Sequence, residues 1–234
     1  MFSEISKNVT TRLFEVRRLL AHIQALEGIL PSDPAVADIV GILRGLFFVD
    51  LYGAFEYAVE QSVQTFLQHL SAAGIPYREF EQLLFAITLH QEFESAATVA
   101  HRKKWSQRRS LLTKQISGDT CQVNDLMFHY YLQSISYSTI RDIFEWLCIP
   151  KSAVPDTRII GYIDEISGAR MEIAHGRKSA QDVGRRWSSS DLEKRLEAIG
   201  EESNYIIASF DEFVIQKGFV AAAHRVKYLP SARP

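Results

Sequence analysis

An all-α, up-and-down helical bundle is the fold class this sequence predicts, and three observations predict it. Apolar residues recur at steps of three and four through most of the chain, no run of alternating polar and apolar residues marks a strand, and proline and glycine fall at helix-length intervals. The chain has 234 residues, 47% of them hydrophobic, enough for one domain with a substantial core. That domain is expected over 1–220, with 93–135 as a mid-chain insertion and 221–234 as a short basic tail.

The elements follow in order. Phe2, Ile5, Val9, Leu13, Val16, Leu20, Ile23 and either Leu26 or Leu30 line one face of a long first helix, which Pro31 ends. A second opens at "SDP", with Ser32 or Asp33 as cap and Pro34 in the first turn, where its missing N–H costs nothing. It runs about 40 residues, long by globular standards, before Gly74 and Pro76 close it. Its middle, "LFFVDLYGAFEYAVEQSVQTFLQHL", is apolar on most sides, as expected of a central helix covered by neighbours, and Asp50, Glu56 and Glu60 are expected on the strip that meets water.

A third helix is predicted from Tyr77 to about Gln91, continuing or re-forming through "FESAATVAHRKKWSQRRSLLTKQI". "SGDTCQVNDLMFHYYLQS" has weak periodicity and reads as irregular or briefly extended. "YSTIRDIFEWLCI" reads as a short helix capped by Ser138 or Thr139, and a loop lies between Pro150 and Pro155. Another helix begins near Asp156. The last opens at a capping box running from Ser190 to Glu193 and stops at Gly218.

Composition narrows the function classes. A formal net charge of −2 and a pI near 6.4 exclude a uniformly basic coat, so nucleic-acid contact requires a local patch. Cys121 and Cys148 lack partners at metal-ligand spacing, which argues against a disulfide framework or a structural zinc site, and no cofactor is expected. The N-terminus has no basic region followed by an apolar run, and the most apolar stretch is broken by Arg44 and Asp50. A cytoplasmic protein without a membrane span is expected. Glycine-rich phosphate loops, a nucleophile-elbow serine and a helical pair of metal-binding histidines are missing too.

Two stretches carry chemistry. In "HRKKWSQRR", Arg102, Lys103, Lys104, Arg108 and Arg109 surround Trp105, and no acidic residue occurs between Glu94 and Asp119. Cations that follow phosphates beside an indole that stacks a base suit single-stranded RNA; a solvated helix face with Trp105 packed inward is the alternative. In "RMEIAHGR", Arg170 and His175 have four residues between them and Gly176 follows. That spacing alone is uninformative, since "RRLLAH" repeats it at Arg17 and His22 in mid-helix.

Context separates the two copies. Five helical steps turn through about 500°, leaving arginine and histidine about 140° apart, so a straight helix would not aim both at one point. Gly176 can take the left-handed conformation that ends a helix, and Gly168 loosens the turn before the motif. His175, Arg177 and Lys178 are then expected to gather with Arg170 as a small cationic site. The competing reading is an ordinary helix C-terminus, where cations are favoured by the macrodipole.

The wording "RMEIAHG" resembles the arginine, four-to-six residues, histidine signature of the HEPN superfamily. Helix order is similar over most of the chain, with "LYGAFEYAVE" in the second helix and the signature late, before a final helix. The resemblance is to the bacterial HEPN ribonuclease toxins, the RiboL-PSP-like branch included. Members usually carry a polar residue directly after the arginine, whereas this chain has Met171; Glu172 is the nearby polar candidate.

The resemblance implies metal-independent cleavage of single-stranded RNA to 2′,3′-cyclic phosphate and 5′-hydroxyl ends, with Arg170 and His175 as catalytic pair and Glu172, Arg177 and Lys178 in support. It also implies a homodimer, because one histidine cannot serve as acid and base together. A toxin or defence role, with an antitoxin or nucleotidyltransferase as partner, goes with it. The alternatives are an inactive HEPN module that binds RNA or a nucleotide, and a helical interaction or immunity protein.

Overall fold

The computed structural model describes residues 1–29 and 34–229, the side chain of Ile29 excepted. The caps and stops expected at Leu30, Pro31, Ser32 and Asp33 lie outside the described residues. Among the described residues the chain is 75% helical and forms no strand. Ten α-helices follow one another: α1 (Phe2–Ile29), α2 (Pro34–Ala72), α3 (Phe85–Thr88), α4 (His90–Thr98), α5 (Lys104–Gln115), α6 (Tyr137–Trp146), α7 (Ile159–Ala174), α8 (Ala180–Gly184), α9 (Ser189–Ile215) and α10 (Ala222–Arg225).

Contacts divide the chain into two compact units. The first comprises Met1–Ser62, Tyr131–Ile140 and Ala153–Ala208. In it α1 buries Phe2, Ile5, Val9, Val16, Leu20 and Ile23, the face its periodicity predicts, while Leu13 stays half-buried. The central part of α2 is covered on most sides, with Phe47, Phe48, Leu51, Tyr52, Phe55 and Ala58 at most 1% exposed. Each large apolar side chain buried there contributes about 1.5–3 kcal/mol, which outweighs local helix propensity in fixing so long a helix.

The register of the first unit is antiparallel. Asn8 donates to the Tyr57 hydroxyl while Glu27 pairs with Arg44, so α1 runs against α2. Leu13 meets Gly200 while the Ser189 hydroxyl donates to Glu27, so α1 runs against α9 as well. Arg195 on α9 is almost fully buried, ion-paired with Glu165 on α7 and stacked 4.0 Å over the Trp187 ring. These pairs fix the helices in the up-and-down order that the sequence predicts.

The second unit comprises Val63–Tyr130, Arg141–Ser152 and the chain from Ser209 on. Its centre is aromatic: Phe66 meets Phe210, Phe213 and Phe219 with centroids 5.7–6.0 Å apart, and Phe144 meets Phe210 edge-on. The helix expected from Tyr77 to about Gln91 is broken into two 3-10 turns and the short α3. Tertiary hydrogen bonds capture its backbone instead, since the Tyr77 N–H donates to the Asp119 carbonyl and the Glu81 N–H to that of Phe219. Periodicity signals which side chains are buried but not which partner their backbone takes.

Other corrections are local. Ser136, rather than Ser138 or Thr139, caps α6: its hydroxyl accepts from the Thr139 N–H, and its own N–H donates to the Thr139 hydroxyl. The box that opens α9 is Ser188 with Asp191, two residues before the predicted one. Lys217, with φ 53°, makes the left-handed turn before Gly218. The inner part of the expected tail is docked, since Lys227 and Tyr228 both donate to the buried Glu79 carboxylate. The Tyr228 hydroxyl, and after it Lys227, holds that carboxyl below its ordinary pKa.

Candidate active site

Helix α7 ends where "RMEIAHGR" begins to curl. The His175 N–H still donates to the Met171 carbonyl, as in a helix, but Gly176 has φ 64°, and the Arg177 and Lys178 N–H groups both turn back to the Glu172 carbonyl. The left-handed residue costs little because it is glycine. His175 is left exposed at the bend, and among the described residues its imidazole has no hydrogen-bond partner. Arg17 and His22, the same spacing on α1, are both exposed on an unbroken helix.

Arg170 is set differently. Its guanidinium lies 4.9 Å over the Tyr52 ring and 3.8 Å from Glu56, both on α2. The Tyr52 hydroxyl accepts from the Ile135 N–H at 2.7 Å and hydrogen-bonds to Glu56. Burial raises the Glu56 carboxyl above its usual pKa, and Arg170 followed by Tyr52 opposes that rise. Glu56 was expected on the water-facing strip; it is instead half-buried and is the partner of Arg170.

The remaining motif residues do not form one cationic cluster. Glu172 accepts from Lys178 and from Arg186, each at 2.6 Å, and those bonds, Lys178 first, hold its carboxyl below the ordinary range. Lys178 is therefore tied to a carboxylate that it shares with Arg186, and Arg177 stands exposed. Met171 is half-buried, with the Ser134 hydroxyl 3.8 Å from its sulfur.

The turn after the motif is anchored by close backbone packing. A Cβ on Gly45 of α2 would fall 2.0 Å from the Ala180 carbonyl oxygen, and one on Gly184 would fall 1.9 Å from that of Gly41. Helix α8 therefore lies directly on α2, and Ser179 caps it by accepting from the Asp182 N–H. Sequence reasoning passed over Tyr52, Gly45 and Gly184, and it assigned Glu56 to solvent rather than to Arg170. The small residues four apart in "GILRG" were the available sign of the close approach.

The predicted RNA-binding segment lies in the second unit, on a turn (His101–Lys103) and α5. Trp105 is 75% exposed, so the alternative of an inward-packed indole does not hold. Among the described residues no helix is long and apolar enough to cross a membrane.

A family model described as RiboL-PSP-HEPN matches residues 11–214. The chain belongs to that family. No curated protein and no solved structure gives a significant match. Membership of a HEPN family, together with the all-α fold, suggests a ribonuclease or nucleotide-binding role for this RiboL-PSP-HEPN chain.

Proposed function

We propose that this RiboL-PSP-HEPN protein is a metal-independent endoribonuclease that cleaves single-stranded RNA at a site shared by two copies, acting in the cytoplasm as a toxin or defence effector. One observation carries the reading: His175 stands exposed at a glycine-made bend, five residues beyond an arginine that Tyr52 and Glu56 hold in place. Transfer of a phosphate ester to its own 2′-oxygen requires an imidazole free to move a proton and a guanidinium held to receive phosphate, and the motif offers one of each.

In that reaction a base takes the 2′-hydroxyl proton, the 2′-oxygen–phosphorus bond forms, the bond to the 5′-oxygen breaks and an acid protonates the leaving oxygen. Histidine, with an ordinary pKa of about 6.5, serves either role near neutrality. Arginine grips phosphate oxygens in two-pronged fashion and stabilises the added negative charge. Two copies of His175 divide the acid and base roles, and Arg177 adds positive charge.

An apolar stripe supports the pairing. Ile39, Ile42 and Leu46 on α2 are 51%, 42% and 41% exposed, three side chains on one face. The neighbouring Gly41 and Gly45 carry α8, so a second copy seated on the stripe would lie beside the segment that follows His175. Two motifs brought together in this way would double the local positive charge available to a phosphate chain.

The test is end-group analysis of labelled single-stranded RNA incubated with the protein in EDTA. Cyclic phosphate and 5′-hydroxyl ends, lost in Arg170→Ala, are expected, with specific activity falling on dilution as the dimer dissociates. The second reading, a HEPN module that binds RNA or a nucleotide without cleaving it, is favoured by Met171 packing against Ser134 where a polar residue is usual. Binding by an inert wild type would establish it. A toxin would also need a neutralising partner, for which an antitoxin or nucleotidyltransferase is the class to seek.

A further inference from the structure

Helix α5 is built backwards for a helix that serves a core. Its inward positions are Gln107, Leu111, Lys114 and Gln115, all only half-covered, and none of its residues is buried. Gln107 donates to the Ser95 hydroxyl and Lys114 pairs with Glu92, so polar contacts attach α5 to α4. The opposite face carries Trp105, Arg108 and Arg109 at helical steps of zero, three and four, which put them side by side. The largest apolar side chain of the helix therefore points to solvent.

The cations around it are unspent. Arg102, Lys103, Lys104, Arg108 and Arg109 are all exposed, and none makes an ion pair with a carboxylate among the described residues. Arg108 lies 5.1 Å from the Trp105 ring centroid, so a planar cation already occupies one approach to the indole. Five unpaired positive charges beside an exposed aromatic plane match a flexible polyanion that has flat, unstacked groups. A duplex keeps its bases stacked away from such a ring, and a membrane surface would call for a wider apolar face than Trp105, Leu112 and Ile116, the exposed apolar side chains of this stretch, provide beside five cations.

We infer that the Arg102–Arg109 segment is a binding site for single-stranded nucleic acid, with Trp105 stacking a base and the cations following the phosphates. The inference stands apart from the Arg170 and His175 reading, because the arm would hold a strand whether or not the chain cleaves it. RNA and single-stranded DNA share the chemistry, and the test separates them.

The experiment uses the full-length His175→Ala protein, so that the probe survives, and fluorescence anisotropy with a labelled 12-mer of uridine. A thymidine 12-mer, a 12-base-pair duplex and vesicles of phosphatidylserine and phosphatidylcholine are run in parallel. Trp105→Ala is expected to weaken single-strand binding about ten-fold, while Trp105→Phe stays within about three-fold. Lys103→Ala with Lys104→Ala should lower the slope of log affinity against log salt by about 1.4. Circular dichroism should be unchanged, since no α5 side chain is buried.

Binding of either 12-mer with this dependence supports the site, and the ratio of the two names the strand. Single-strand affinity that is unchanged in Trp105→Ala and in the lysine pair overturns it, as does tighter binding to the duplex or the vesicles. Cleavage by the wild type, measured separately, reports on the motif alone. Loss of one property with retention of the other therefore tells the two readings apart.

Discussion

The guanidinium of Arg170 on α7 lies 3.8 Å from the Glu56 carboxylate and stacks on Tyr52, one helical turn earlier on α2. Glu56 thus acts as a positioning residue for the arginine of the motif. Glu56→Gln removes the charge while keeping an acceptor for the Tyr52 hydroxyl. Cleavage is expected to fall several-fold, because the arginine loses its fixed geometry, with stability changed by less than about 1 kcal/mol. Rates measured beside urea unfolding check both parts.

Tyr52→Phe separates support from chemistry in another way. The Ile135 N–H, buried in the first unit, would lose its acceptor, and an unsatisfied buried donor costs about 1–3 kcal/mol. A lowered midpoint in thermal or urea unfolding is the expected result.

Backbone contact between α2 and α8 sets a steric prediction. Gly45→Ala would drive a methyl into the Ala180 carbonyl, so α8 must move, and with it the turn after His175. A stability loss of about 1–3 kcal/mol together with lost cleavage is expected. Gly168→Ala, in the turn before the motif with nothing within 4 Å, should instead stabilise the protein by about 1 kcal/mol. Opposite shifts in melting temperature would distinguish the two glycines.

Glu202 on α9 is fully buried, and neither carboxylate oxygen has a hydrogen-bond partner among the described residues. Burial, with Glu201 adding, pushes its pKa up to about 8 from 4.5. Below the lower value both folded and unfolded chains hold the proton. Between the two values only the folded chain keeps it, so stability falls with rising pH by roughly 1 kcal/mol per unit and levels off above the folded value. Glu202→Gln should flatten that slope in urea titrations at pH 5, 7 and 9.

Ser188→Ala should cost about 1 kcal/mol in the same assay, while Ser190→Ala, the predicted cap, should be nearly neutral. The pair illustrates what the sequence made legible. The helical class, the buried face of α1 and the length of α2 follow from periodicity, which burial enforces directly. Cap positions were missed by two or three residues because several serines, threonines and acids are adjacent, and only backbone geometry chooses among them. The helix expected from Tyr77 broke for a similar reason, since its N–H groups found acceptors at Asp119 and Phe219, remote in sequence.

The site was legible at its bend and illegible at its supports. Gly176 after His175 announced a left-handed helix end, and the backbone adopts one. The expected gathering of cations ignored Glu172, which binds Lys178 and Arg186, and Glu56, which binds Arg170. Such partners come from segments far apart in the chain, and residue spacing within a motif carries no information about them.

The most direct test of the central claim is the rate at which purified wild-type and His175→Ala proteins cleave end-labelled single-stranded RNA in EDTA near neutral pH. The account predicts cleavage by the wild type, with cyclic phosphate ends, and a fall of about 100-fold or more in the variant, as expected when a general acid and base is removed. Undiminished cleavage by His175→Ala would contradict it.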